Sequence, residues 1–165
     1  MNIPVRTYYI DILLKKTFRD RHGEHVRQDI ADTGMATPPA VRSVPVYRLE
    51  GSLSEEDVEK VASRLLADPV TETYRVRTEA SVPGKGEHVV EVWLKPGVTD
   101  TVADSVVKAV DDLGISVPIK VKTGHAYFFA TCDKGAVRRI AERLLANPIV
   151  QEYTISGAHR KNSVI

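Results

Sequence analysis

The chain has 165 residues, 42% of them hydrophobic and 27% charged, enough for one ordinary domain or two very small ones with a buried core. Its 23 basic and 22 acidic side chains leave a net charge of +1, which argues against the broad basic face that nucleic-acid binding needs. No run reaches the ~18 apolar residues of a membrane span, MNIPVRTYYIDILLKK does not read as a signal peptide, and the single cysteine, Cys132, has no internal disulfide partner; together these predict a cytoplasmic protein.

In chain order, YYIDILL (8–14) predicts a strand. A helix follows before Gly34, weakened by Gly23 inside it and by Thr33 near its end. AVRSVPVYRLEG (40–51) has the length for two strands or one long one, with Pro45 as the expected break. Ser54 is placed to cap a helix whose apolar stripe is Val58, Val61, Ala62, Leu65 and Leu66. Pro69 should stop it, because the residue before a proline is pushed out of the helical region. VTETYRV (70–76) then alternates as a strand, and SVPGKGE (81–87) is a linker.

The second half begins with a strand through Trp93. KPG (95–97) predicts a tight turn, with Gly97 tolerating a positive φ. Asp100 caps a helix whose buried face is read as Val102, Val106, Ala109, Val110 and Leu113, with Gly114 as its stop. PIKVKTG and HAYFFAT (118–131) predict a hairpin around Gly124. Asp133 caps a last helix with the stripe Val137, Ile140, Ala141, Leu144 and Leu145, stopped by Pro148. IVQEYTI (149–155) is the closing strand, and residues 158–165 are expected to be a mobile tail.

These elements form two copies of one pattern. RLLADPVTETYRV (64–76) recurs as RLLANPIVQEYTI (143–155), so Leu65, Leu66, Pro69 and Tyr74 correspond to Leu144, Leu145, Pro148 and Tyr153. Residues 10–35 align with 90–115 in the same way, and the first copy carries one extra residue between its two matched blocks. The order in each copy is strand–helix–strand–strand–helix–strand, the split βαβ arrangement. The predicted fold is α+β: two tandem ferredoxin-like units, 1–80 and 88–157, packed as an intramolecular pseudo-dimer. Strands apolar on both faces suggest that each copy helps to bury the other, as two facing sheets or one shared sheet.

Residues suited to chemistry are few. His22 and His25 have a metal-compatible spacing without an evident third ligand. Cys132 precedes a helix N-terminus, which favours the thiolate, without a neighbouring base. EEDVE (55–59) fits the first turns of a helix, and GKG (84–86) does not match a phosphate-binding loop. No catalytic constellation emerges. Trp93, Lys95, Pro96, Gly97 and Asp100 are the candidate partner-contact residues, weighed against a plain strand-to-helix connection.

VEVWLKPGVTDTVADSVVKAVDDLGI followed by ERLLANPIVQEYTI resembles PurS, the small subunit of phosphoribosylformylglycinamidine (FGAM) synthase. The first copy resembles the matching stretch in the N-terminal domain of the large single-chain synthase, which is similar to a fused PurS pair. The resemblance implies a non-catalytic assembly subunit of purine biosynthesis. It would bridge a PurL-type synthetase and a PurQ-type glutaminase so that ammonia passes between their active sites. It implies no cofactor on this chain; ATP, magnesium and glutamine belong to the partners. Charge and hydropathy predict no nucleic-acid or membrane partner, and self-association of pseudo-dimers stays open. The tandem departs from a single PurS unit, and Lys16-Thr17 stand in the first copy where Pro96-Gly97 stand in the second. Two other readings are an ACT-like regulatory module binding an amino acid or nucleotide between the copies, and an enzyme built on Cys132 or His125.

Overall fold

A computed structural model describes residues 2–130 and 133–157. Cys132 and the tail at 158–165 lie outside the described residues. The first copy contributes strand β1 (Arg6–Leu14), helix α1 (Arg21–Asp32), strand β2 (Val41–Gly51), helix α2 (Glu55–Val61) and strand β3 (Glu72–Arg77). The second repeats the order with β4 (Glu87–Leu94), α3 (Thr101–Asp112), β5 (Ile119–Ala130), α4 (Lys134–Ile140) and β6 (Gln151–Gly157). The strands form one six-stranded sheet in the order β3-β1-β2-β5-β4-β6. Within it β1 runs antiparallel to both neighbours, with Tyr8 opposite Leu49, Asp11 opposite Val46, and Asp11 opposite Arg75. The α+β class and the tandem repeat are as the sequence predicts, with one shared sheet rather than two facing ones.

The middle of each copy differs from expectation. No hairpin forms at Gly124, and no break forms at Pro45: β5 and β2 run straight through them. Gly124 is required for a different reason. A Cβ there would stand 2.5 Å from the Trp93 ring, so the missing side chain makes room for the indole. Pro45 lies just beyond Val46, where the ladder between β1 and β2 ends, so it costs that ladder no hydrogen bond.

These long strands belong to two compact units, and so do the helices. One unit comprises residues 2–20, 44–80 and 93–125; the other comprises 21–43, 81–92, 126–130 and 133–157. The first packs Tyr8, Ile10 and Ile12 of β1 and Val58 and Val61 of α2 against Val106 and Val110 of α3. The second packs Val26 and Ile30 of α1 against Val90 and Val92 of β4, Phe129 of β5, and Val137 and Ile140 of α4. Each core therefore closes with one helix from each copy. The α+β units are built by exchange between the copies, and the two halves of β2 and of β5 serve different units.

Local chemistry explains the helices. The Ser54 hydroxyl accepts from the Asp57 N–H at 3.0 Å while the Asp57 carboxylate accepts from the Ser54 N–H at 3.1 Å, a closed capping box. Asp133 accepts from the Ala136 N–H at 2.9 Å. Helix α1 forms fully despite Gly23, which is buried and matches the buried Ala103 of α3; small side chains at this position allow close approach. The face of α3 is consequently rotated from the expected one. Ala103, Val106 and Val110 point inward, and Val102 is 52% exposed. Gly34 and Gly114 end α1 and α3 with positive φ, as the stops require.

Candidate functional site

The turn after β4 and the start of α3 build a shallow site in the first compact unit. The Val98 N–H donates to the Lys95 carbonyl at 3.2 Å, and Gly97 takes φ +85°. Asp100 then serves two elements at once. Its Oδ1 accepts from the Ala103 N–H at 2.9 Å, capping α3. Its Oδ2 accepts from the backbone N–H and the hydroxyl of Thr123 on β5, at 2.9 and 2.8 Å. The carboxylate thus fixes the turn, the helix and the strand to one another. Between them lies an open depression of about 420 Å³, lined by Lys95, Pro96, Gly97, Asp100, Asp104 and Lys122 among others.

Trp93 does not line this depression. Its ring covers Gly124 and meets Tyr9 edge-on, with centroids 6.3 Å apart at 67°. The Arg77 guanidinium lies 4.7 Å from the centre of the Tyr9 ring. Arg77 and Arg75 both reach Asp11, which is 1% exposed, at 2.9 and 2.8 Å. Tyr9 and Asp11 have the opposite parity along β1 to the core residues Tyr8, Ile10 and Ile12, so this network covers the face turned away from the core. A buried aspartate inside YYIDILL is invisible to a count of apolar residues. The alternation of Arg75 and Arg77 on β3 was its available signal.

The first-copy turn closes with the matching hydrogen bond despite its different sequence. The Phe18 N–H donates to the Lys15 carbonyl at 2.9 Å across Lys16-Thr17. Lys15 is also tied to the loop after α2: its N–H donates to the Thr71 carbonyl at 3.0 Å, and its Nζ donates to the Pro69 carbonyl. The exchange of KPG for KKT therefore preserves the bond that closes the turn.

The repeated RLLA-P segment holds two features that helix and strand patterns did not reveal. First, α2 and α4 each continue into a π-helical turn, Ala62–Leu66 and Ala141–Leu145. The N–H groups of Ala67 and Ala146 donate to the carbonyls of Ala62 and Ala141, five residues back, both at 3.0 Å. The helices end there, short of Pro69 and Pro148. Leu65, Leu66 and Leu145 pack against the cores, while Leu144, read as a core position, is 36% exposed. Tyr74 donates to Glu59 and Tyr153 donates to Glu142, the latter at 2.9 Å, tying each closing strand to a helical segment.

Second, the loops after the π turns are pinned alike. Glu72 accepts from the Asp68 N–H at 2.8 Å, and Asp68 accepts from Val70 at 2.7 Å and Thr71 at 3.1 Å. In the second copy Gln151 accepts from the Asn147 N–H at 2.8 Å and Asn147 accepts from Ile149 at 3.0 Å. The Glu72 and Gln151 N–H groups return to the carbonyls of Asp68 and Asn147 at 2.8 and 2.7 Å. The N–H groups of Thr71 and Val70 hold the Asp68 carboxyl below the usual carboxylate range.

The remaining candidates are scattered. His22 Nε2 stands 3.4 Å from the Tyr127 hydroxyl, and His25 faces Asp29 one turn on at 3.6 Å. Burial raises the pKa of the Tyr127 hydroxyl. Among the described residues no three metal-ligating side chains stand together, and no helix is long and apolar enough to cross a membrane. Gly84–Gly86 turns the linker into β4, with the Glu87 N–H donating to the Gly84 carbonyl at 3.1 Å.

No curated protein matches the chain. The family model for PurS, described as phosphoribosylformylglycinamidine (FGAM) synthase, matches it twice, over residues 7–80 and 87–158. The family implies association with other FGAM synthase subunits in purine biosynthesis. The two matches coincide with the two copies and between them take in nearly the whole fold described above, so the chain belongs to the PurS family, as a tandem pair.

Proposed function

We propose that this chain is a non-catalytic assembly subunit of FGAM synthase, a covalent pseudo-dimer that bridges a PurL-type synthetase and a PurQ-type glutaminase. The observation that carries this reading is the double family match on one chain. In the proposed complex the partners bind ATP, magnesium and glutamine, and the chain holds them so that ammonia released from glutamine reaches the synthetase. The depression at Lys95, Pro96, Gly97 and Asp100 suits a contact surface, because Asp100 fixes its walls before a partner arrives. Two turns of like form, KKT and KPG, supply related but non-identical surfaces on one chain.

The test is to mix the chain with its cognate synthetase and glutaminase subunits and measure the mass of the product by light scattering. A species containing all three chains is expected. A synthetase–glutaminase complex that excludes this chain contradicts the proposal. A strong rise in melting temperature with a free amino acid or nucleotide would instead favour the regulatory-module reading.

A further inference from the structure

The two pinned loops do more than connect a helix to a strand. At their tips stand Val70, 70% exposed, and Ile149, 81% exposed, one in each compact unit. A single exposed apolar side chain on a surface needs no explanation. Here a β-branched side chain is exposed at the same place in both copies, directly after the proline, on a loop with no free backbone donor. The N–H groups of Asp68, Val70, Thr71 and Glu72 are all bonded, as are those of Asn147, Ile149, Val150 and Gln151, and each intervening residue is a proline. Such a loop presents its tip with little conformational freedom left to lose on binding.

The copies also differ in an informative way. Asp68 and Glu72 are replaced by Asn147 and Gln151, which keep every side-chain acceptor oxygen used in the pinning bonds and remove both charges. The geometry is duplicated and the electrostatics are not. Lys15, bound to the Pro69 carbonyl, has a lysine, Lys95, at the matching place of the second copy, so the charge difference between the tips is that of Asp68 and Glu72 against Asn147 and Gln151. The second loop makes matching pinning bonds without the charge, so the charge is unnecessary for the loop's shape.

We propose that Val70 and Ile149 are paired docking knobs for the partner subunits of FGAM synthase: Val70 enters an apolar pocket with a basic rim, and Ile149 enters an apolar pocket whose rim carries hydrogen-bonding groups and lacks that added basic charge. This rests on the assembly role proposed above. The experiment measures affinity for the purified synthetase and glutaminase subunits as a function of salt. V70D and I149D should each weaken assembly by at least about tenfold. The milder V70T and I149T, of which the first is nearly isosteric, should weaken it less, and they carry the test if an aspartate variant fails to fold. D68N/E72Q, which copies the second loop into the first, should flatten the salt dependence of assembly, whereas N147D/Q151E should not flatten it. Wild-type assembly that is matched by all four tip variants overturns the knobs and leaves the assembly role standing. A salt slope unmoved by D68N/E72Q overturns the basic rim. Absence of any wild-type complex overturns both the knobs and the role beneath them.

Discussion

At Gly124 the space of a side chain is taken by the Trp93 indole. Gly124→Ala places a methyl group within 2.5 Å of that ring and should destabilise the fold by about 1–3 kcal/mol, read from the midpoint of denaturant unfolding. An unchanged midpoint would show that the indole is not held there. A turn and a clearance for an aromatic ring both call for glycine, so the sequence does not distinguish them, and only the position of Trp93 separates them. Asp11 has the same character: its residue type is legible, its two arginine partners are not. Asp11→Ala removes the buried carboxylate that Arg75 and the half-buried Arg77 both reach, and should cost about 3 kcal/mol by the same measurement. A pH prediction belongs to Asp68 and Asp133, whose carboxyls are held low chiefly by backbone N–H groups, of Thr71 and Ala136 respectively. A depressed folded-state pKa contributes stability above the unfolded value of about 4, and that contribution is lost as pH falls through the folded value. Stability should therefore decline on acidification below about pH 4. Asp68→Asn, with the acceptor retained as in Asn147, should flatten that acid limb. An acid limb identical to wild type would contradict the assignment.

At the scale of elements, the legible features were those with local causes. The caps at Ser54, Asp100 and Asp133 and the stops at Gly34 and Gly114 depend on bonds within one turn of chain, and they form as read. Ser54→Ala removes one half of the capping box and should cost about 1 kcal/mol. A loss near zero in thermal unfolding would mean that the helix start is held by packing alone. The π turns were not legible, because ASRLL and AERLL satisfy an α-helical stripe equally well. Ala62 and Ala141, whose carbonyls close the two turns, are both fully enclosed, and the stripe places them inside without stating how closely. Val102 was misplaced for a related reason: a valine outranks an alanine on any apolar scale, and close approach to the sheet reverses the order.

For the whole molecule, the duplication was written plainly in the sequence, and the exchange of helices was not. The stripes Val58-Val61-Ala62 and Val137-Ile140-Ala141 are so alike that periodicity cannot assign a helix to a core. The contacts decide it: Val106 and Val110 complete the core of β1 and α2, and Val26 and Ile30 complete that of β4 and α4. A chain ending at residue 80 therefore lacks part of its own core. Residues 1–80 alone should show no cooperative unfolding transition as a monomer, while 1–80 produced together with 81–165 should recover one. A stable, monomeric 1–80 would contradict the exchange.

The candidate site was legible to the extent that it is local. Lys95, Pro96, Gly97 and Asp100 share one depression because the turn and cap bring neighbours in sequence together. Trp93 looks the other way because strand parity sends it to the opposite side. The pinned tips at Val70 and Ile149 were overlooked, although the pairing of Asp68 with Glu72 and of Asn147 with Gln151 was present in the repeat. Their meaning appears only when the bonds show that both copies use the same acceptor oxygens to set the loop.

The assembly role is tested most directly by the rate of FGAM formation from glutamine by the synthetase and glutaminase subunits, with and without this chain. Glutamine-dependent turnover should require the chain and saturate at a fixed ratio of it to the synthetase, and ammonia supplied directly should bypass the requirement. Full glutamine-dependent turnover in its absence would contradict the account.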